Sequence, residues 1–278
     1  MTYRMVGPAN TINGKPAFQA VGTHINWQAL GVDPGVILEN ASRIKGRFKP
    51  HNGPFHEEPA AIVAYGSSLN ETWRDLHNFK VIFTCSGSHK FLLDRGIVPT
   101  YHVDSDPRAY KVAMLGTPHR DVTYLVASIC HPTYFDLLER YEIPKVLLWH
   151  LLFLEPQIYR LLPSNEWLWT GGNTVGPRTI KMARLSGYVE HHYFGFDGSA
   201  GHAGLHFNAP KKFTSHEHDG TTYLTTPGLV EHAKIMFTDL DAMPEVRPHF
   251  YGSGLIQAMA KNYKKKPRHG FPMGLVKR

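Results

Sequence analysis

The sequence is poor in the residues and patterns that announce a chemistry by themselves. Only two cysteines occur in 278 residues, Cys85 and Cys130. One widely separated pair builds neither a disulfide framework nor a thiolate metal site, so both are expected as buried thiols. No apolar run approaches the roughly 20 residues that cross a bilayer. The opening MTYRMVGPAN has no apolar segment of the kind found in secretory leaders. A cytoplasmic protein with no membrane span is therefore expected. GxGxxG, GxxxxGK[ST] and GxSxG are all missing, which disfavours NAD-dependent dehydrogenases, P-loop kinases and elbow-type serine hydrolases. No internal repeat is visible.

Acidic residues are missing from one place in particular. KNYKKKPRHGFPMGLVKR, residues 261–278, carries seven lysines and arginines and no acid. The chain has 30 basic and 23 acidic side chains, net +7, so removing those seven leaves 23 against 23. The body is neutral and the basicity belongs to a tail. A solvated terminus is the plain reading, and an arm that contacts nucleic-acid phosphates is the sharper one.

What is present is a rhythm. Residues 1–58 read as an irregular cap, with Asn13-Gly14 suited to a tight turn and RFKPHNGPFHEEP broken by prolines. From about residue 59 to 260, short apolar runs alternate with helix-like segments. AAIVAY, KVIFTC, PTYHVDSD, VTYLVAS, KVLLWH, EWLWT and HHYFGFD read as strands. SHKFLLDRG, RAYKVAML, HPTYFDLLER and GPRTIKMARLSG read as helices, the last closing on Gly187. LVEHAKIMFTDL and GLIQAMAKNYKK add two late helices. Continuous apolar strands alternating with helices predict an α/β fold: a Rossmann-like, doubly wound, mostly parallel sheet with helices on both faces.

Ligands of such sheets bind beyond the carboxyl ends of the strands, and small, hydroxyl and acidic residues recur there. Gly66-Ser67-Ser68 follows the first strand. Glycine admits close backbone approach, and hydroxyls beside a helix start suit phosphate oxygens; a generic strand-to-helix turn is the bland alternative. Ser86 follows the second strand. Gly171, Gly172, Asn173 and Thr174 make a second glycine-rich turn before a helix, or simply a tight connection. Asp104 and Asp106, two apart at a strand end, can share one hard cation, Mg2+ or Mn2+, or cap a turn instead. Arg108 beside them could meet a phosphate or be an ordinary surface arginine. Asp197, His202 and His206 fall within ten residues: a strand-end carboxylate and two candidate general bases. The glycines around His202 and His206 argue for a loop and against a helical zinc site. Gly252-Ser253-Gly254 repeats the turn pattern late in the chain.

In order along the chain, YGSSLNETW, TCSGSHKFLLDRGIVPTYHVDSDPR, GGNTVGPRTIKMARLSGY and FGFDGS resemble the 6-hydroxymethylpterin diphosphokinase MptE-like family. That group includes motility accessory factor glycosyltransferases and is distantly similar to bacterial sialyltransferases. The resemblance covers about residues 60–208 and implies a nucleotide-dependent transferase on a Rossmann-like core. It implies that Gly66, Ser67 and Ser68 meet donor phosphates, although Ser67 stands where the family commonly has glycine or proline. Ser86, Asp104, Asp106, Gly171, Gly172, Asn173 and Asp197 match further strand-end positions of the family.

These readings converge on transfer of a group, expected to be a sugar, from a nucleotide-activated donor to an acceptor hydroxyl. His202, His206 and Asp197 are the expected catalytic residues. Gly66, Ser67, Ser68, Ser86, Gly171, Gly172, Asn173 and Thr174 are expected to hold the donor, and Asp104 and Asp106 the metal. The alternatives are an ATP-dependent diphosphokinase of the 6-hydroxymethylpterin type and a non-catalytic nucleotide- or nucleic-acid-binding module.

Overall fold

The apolar runs become strands. The computed structural model describes residues 2–5, 11–12, 15–16, 18–21, 34–151, 167–169, 174–200, 213–265 and 275–277. The described strands are β1 (Thr2–Met5), β2 (Thr11–Ile12), β3 (Lys15–Pro16), β4 (Phe18–Val21), β5 (Ala60–Val63), β6 (Val81–Cys85), β7 (Tyr101–Asp104) and β8 (Thr123–Ala127). They continue with β9 (Val146–Leu151), β10 (Trp167–Trp169), β11 (Glu190–Phe194), β12 (Thr214–His218), β13 (Thr221–Thr225), β14 (Arg247–Phe250) and β15 (Leu275–Lys277). The described helices are α1 (Pro34–Arg43), α2 (Leu69–Thr72), α3 (Ser88–Leu93), α4 (Lys111–Leu115), α5 (Pro132–Arg140), α6 (Val175–Leu185), α7 (Pro227–Asp241) and α8 (Leu255–Lys261). Among the described residues no helix is long and apolar enough to cross a membrane.

The chain divides into two interleaved units. One takes residues 1–49, 104–171 and 269–278; the other takes 50–103 and 172–268. In the second unit five strands run parallel in the order β14-β11-β5-β6-β7. Numbered by their sequence within this unit, they read 3-2-1-4-5 from β7 to β14. That is the order of a Rossmann sheet, with the direction of winding reversed between β5 and β11. Every residue of β5 and β6 is buried, as expected of strands covered on both faces. Helix α6 packs over both. Leu69, Leu76, Phe91 and Leu92 come from the connections and close on Val63, Ile82 and Phe194. Each such side chain contributes about 2 kcal/mol on burial.

Local signals position these elements. Helix α6 ends as expected: Gly187 has φ +97, and the Tyr188 N–H returns to the Ala183 carbonyl at 3.2 Å. A Cβ at Gly187 would lie 2.7 Å from the His51 ring, so glycine is needed for conformation and for space. Thr226 caps α7 by accepting from the Leu229 N–H at 3.2 Å, with Pro227 at the first helical position. Strand β14 went unread in the sequence because Pro248 interrupts RPHF. It lies at the end of this unit's strand order, where a missing N–H costs least.

In the first unit β8, β9 and β10 are parallel, and β15 joins β10 antiparallel. The stretch expected to be irregular, 1–58, contains α1 and four short strands. Helix α1 was hidden by Pro34-Gly35, which the first turn of a helix tolerates. It buries Ile37, Asn40 and Ala41 along one face, and Ile44 just past its end is buried too. The Asn40 Nδ2 donates to the carbonyls of Ser128 and Cys130, each at 2.9 Å. Arg43 bridges Asp136 and Glu139 of α5 at 2.6 and 2.8 Å. Cys85 and Cys130 are buried and unbridged, as expected.

Candidate functional site

Open α/β sheets bind ligands beyond the carboxyl ends of the strands that flank a reversal of winding, which here are β5 and β11. Gly66-Ser67-Ser68 leaves β5 there, and Gly195 to Asp197 leaves β11. The two loops are hydrogen-bonded to each other. The Gly66 N–H donates to the Gly195 carbonyl at 2.9 Å. Asp197, 4% exposed, accepts the Ser68 N–H at 2.9 Å and the Ser67 hydroxyl at 3.3 Å on Oδ2. Its Oδ1 accepts a short bond from the Ser68 hydroxyl. A Cβ at Gly66 would sit 2.5 Å from both Asp197 Oδ2 and the Gly195 carbonyl. The glycine after β5 is therefore explained within the protein: it lets a carboxylate close on the turn.

A third loop completes this clasp. The expected late turn Gly252-Ser253-Gly254 follows β14, and a Cβ at Gly252, where φ is +107, would lie 2.7 Å from Ser68 Cβ. A Cβ at Gly254 would lie 2.6 Å from Asp197 Cα. The Ile256 N–H donates to the Asp197 carbonyl at 3.0 Å, and the Leu255 N–H to the Ser199 hydroxyl at 3.1 Å. Gln257 accepts the Gly254 N–H at 2.8 Å and donates to the Tyr251 carbonyl at 2.8 Å. Sequence reading missed Gln257 and Gly195, since neither carries a motif.

After β6, Ser86 holds φ +57, a left-handed conformation that non-glycine residues adopt at a cost. Gly87 beside it leaves room for the Tyr65 ring, which a Cβ would overlap. Ser88 anchors the turn, its hydroxyl 2.8 Å from the Val63 and Cys85 carbonyls. Thr174 is extended and does not cap α6. Gly171, Gly172, Asn173, His202 and His206 lie outside the described residues.

Strand β7 ends in the acidic pair. Asp104 is 2% exposed, and its Oδ1 accepts the N–H groups of Ser105 and Asp106 at 2.7 and 3.1 Å. Burial pushes its carboxyl up to about 6, with Lys111 opposing and Asp106 adding to the rise. Asp106 carries a second kind of environment. Burial opposes its ionisation, but the Arg108 guanidinium and Lys111 outweigh that and hold its carboxyl below the ordinary range. Arg108 grips both oxygens, Nε to Oδ1 at 2.7 Å and Nη2 to Oδ2 at 2.5 Å. Lys111 Nζ stands 3.4 Å from Oδ2. A divalent cation shared by Asp104 and Asp106 would compete with Arg108 and Lys111 for the oxygens of Asp106. Lys111 was not legible as a site residue because it reads as an ordinary helix position.

In the basic tail, Lys265 is partly buried. Its Nζ donates to the Pro244 carbonyl at 3.1 Å and, in a shorter bond, to that of Val246. Burial lowers its pKa from the ordinary lysine value. Lys266, Arg268 and Arg278 lie outside the described residues.

The sequence model of the family described as 6-hydroxymethylpterin diphosphokinase MptE-like matches residues 36–201, more than half of the chain. The chain belongs to that family. The MptE-like match runs from α1 through the Gly66 turn, the acidic pair and Asp197. No curated protein matches. Among solved structures, the Maf glycosyltransferase of Magnetospirillum magneticum AMB-1 is similar at 16% identity and a TM-score of 0.61, over 87% of this chain and 42% of that one. The chain thus spans less than half the length of that protein, and the likeness is one of fold. A mammalian sialyltransferase, solved with Gal-beta-1-3GalNAc-ortho-nitrophenol, aligns at 11% identity and a TM-score of 0.38, over 82% of this chain and 87% of that one.

Proposed function

We propose that this MptE-like chain is a nucleotide-dependent transferase that moves a sugar from a nucleotide-sugar donor to an acceptor hydroxyl. The observation that carries the reading is the Rossmann strand order with its reversal between β5 and β11, where Gly66, Ser68 and Asp197 clasp the two strand-end loops together. In this reading Ser86 and the turn of Gly171, Gly172, Asn173 and Thr174 contact the donor, and Asp197 positions the Gly66 turn. His202 or His206 removes the acceptor proton as the acceptor oxygen bonds to the anomeric carbon. The bond from that carbon to the donor phosphate breaks, and the nucleotide leaves with the negative charge.

The family's own description favours a second reading, diphosphoryl transfer from ATP to a hydroxymethyl group on a pterin-like acceptor. That reaction leans most heavily on a divalent cation to neutralise the transferring phosphates. The grip of Arg108 on Asp106 argues against it.

Calorimetric titration with UDP-sugars, CMP-sugars and ATP, followed by product analysis, decides between them. The glycosyl reading expects binding of a nucleotide sugar and slow release of free nucleotide in water. Formation of AMP with a diphosphorylated acceptor would replace it by the second reading. Binding of none of the three would end both. Among the base candidates, His202→Ala or His206→Ala is expected to abolish turnover while leaving donor affinity within about threefold, because a proton acceptor contributes to the transition state.

A further inference from the structure

At the amino end of β11, opposite the Gly195–Asp197 loop, three side chains of the second unit converge. Glu190 and His192 are two apart on β11 and share one face. His249 lies on β14 directly beside His192 in the parallel register. The two imidazoles stack at 4.4 Å between centroids, 12° from parallel. Their Nε2 atoms both face Glu190 Oε1, from His249 at 2.5 Å and from His192 at 3.8 Å. One ligand atom from each residue falls within 4.8 Å of the others, and this is the only such group of three among the described residues.

We propose that Glu190, His192 and His249 form a binding site for a divalent transition-metal ion of the zinc class, linking strands β11 and β14. Two imidazole nitrogens and one carboxylate oxygen are a donor set for a borderline ion and not for magnesium or calcium. The outer contacts are those such a site needs. Tyr251 Oη lies 2.8 Å from His192 Nδ1; with Nδ1–H donating to the phenol, Nε2 presents its lone pair to the ion. Arg247 bonds the other oxygen of Glu190 and orients the carboxylate. His249 is exposed, so an ion can enter from solvent and keep a water as its fourth ligand.

Titration of tag-free, metal-stripped full-length protein with Co2+, read by visible absorption and by competition with Zn2+, tests the site. The native chain is expected to bind with nitrogen-donor bands that His249→Ala and His192→Ala each weaken at least about 100-fold. Tyr251→Phe is expected to weaken affinity about 10-fold, the effect of losing an outer-shell partner. Zn2+ should also raise the thermal midpoint of the native chain and of Tyr251→Phe, but not that of His249→Ala. With 18 histidines in the chain, bound metal alone proves nothing. Binding and thermal shift unchanged in both histidine variants, or no binding by the native chain at millimolar metal, would overturn the site.

Discussion

Asp197 and Asp104 are both buried aspartates at the ends of parallel strands, and their surroundings give them opposite tasks. Asp197 spends its oxygens on the Ser67 hydroxyl and on the Ser68 N–H and hydroxyl. It is a latch, and Gly66, Gly252 and Gly254 exist beside it because side chains there would collide with the latched loops. Asp104 accepts the N–H groups of Ser105 and Asp106 in its own turn, and burial moves its carboxyl up to about 6. Burial alone does not decide what a strand-end carboxylate does. The donors aimed at it decide.

The largest expected effect breaks the latch. Gly66→Ala puts a methyl 2.5 Å from Asp197 Oδ2; chemical denaturation is expected to show a loss of about 3 kcal/mol, the upper end for overpacking. Next comes the pH response of Asp104. Its folded pKa of about 6 lies above the unfolded value of about 3.9. Between those values the folded chain keeps a proton that the unfolded chain has released, so stability falls as pH rises through the window and levels off above it. The drop amounts to about 2–3 kcal/mol. Asp104→Asn should remove that slope, and a slope unchanged in the variant would contradict the assigned environment.

Asp197→Asn sharpens the contrast. It keeps the shape but replaces one acceptor oxygen by an amide and removes the charge, with an expected cost of about 2 kcal/mol and a wider Gly66 turn seen in a crystal structure. The smallest effect belongs to Ser86→Gly. Glycine accepts the left-handed φ of +57 but loses more entropy on folding, so stability should stay within about 1 kcal/mol. A loss of donor affinity without a loss of stability would assign the Ser86 hydroxyl to the ligand.

Most of the fold was legible in the sequence because its signals are local. Continuous apolar runs such as AAIV and VIFTC are what doubly covered strands require, and the Gly187 stop is written in one residue. What stayed hidden depends on partners distant in sequence. Pro248 argues against a strand until β14 is known to sit at the end of the order, and Pro34-Gly35 argues against a helix until it is recognised as a helix start. The strand-end glycines were read as openings toward phosphate. In the structure the Gly66 backbone closes on Gly195 and Asp197, contacts that no spacing rule reveals. The cluster of Glu190, His192 and His249 escaped for the same reason, since its third member comes from another strand.

The interleaving of the two units has a consequence for anyone trimming the chain. Polypeptide crosses from one unit to the other near residues 49, 103, 171 and 268, so no single cut releases either as a continuous fragment. Strand β11 lies between β5, synthesised long before it, and β14, synthesised after it. The growing chain therefore leaves β11 without that neighbour until Arg247–Phe250 has been made. Shortened versions ending before Arg247 would expose that row of backbone groups, an invitation to pair with other molecules.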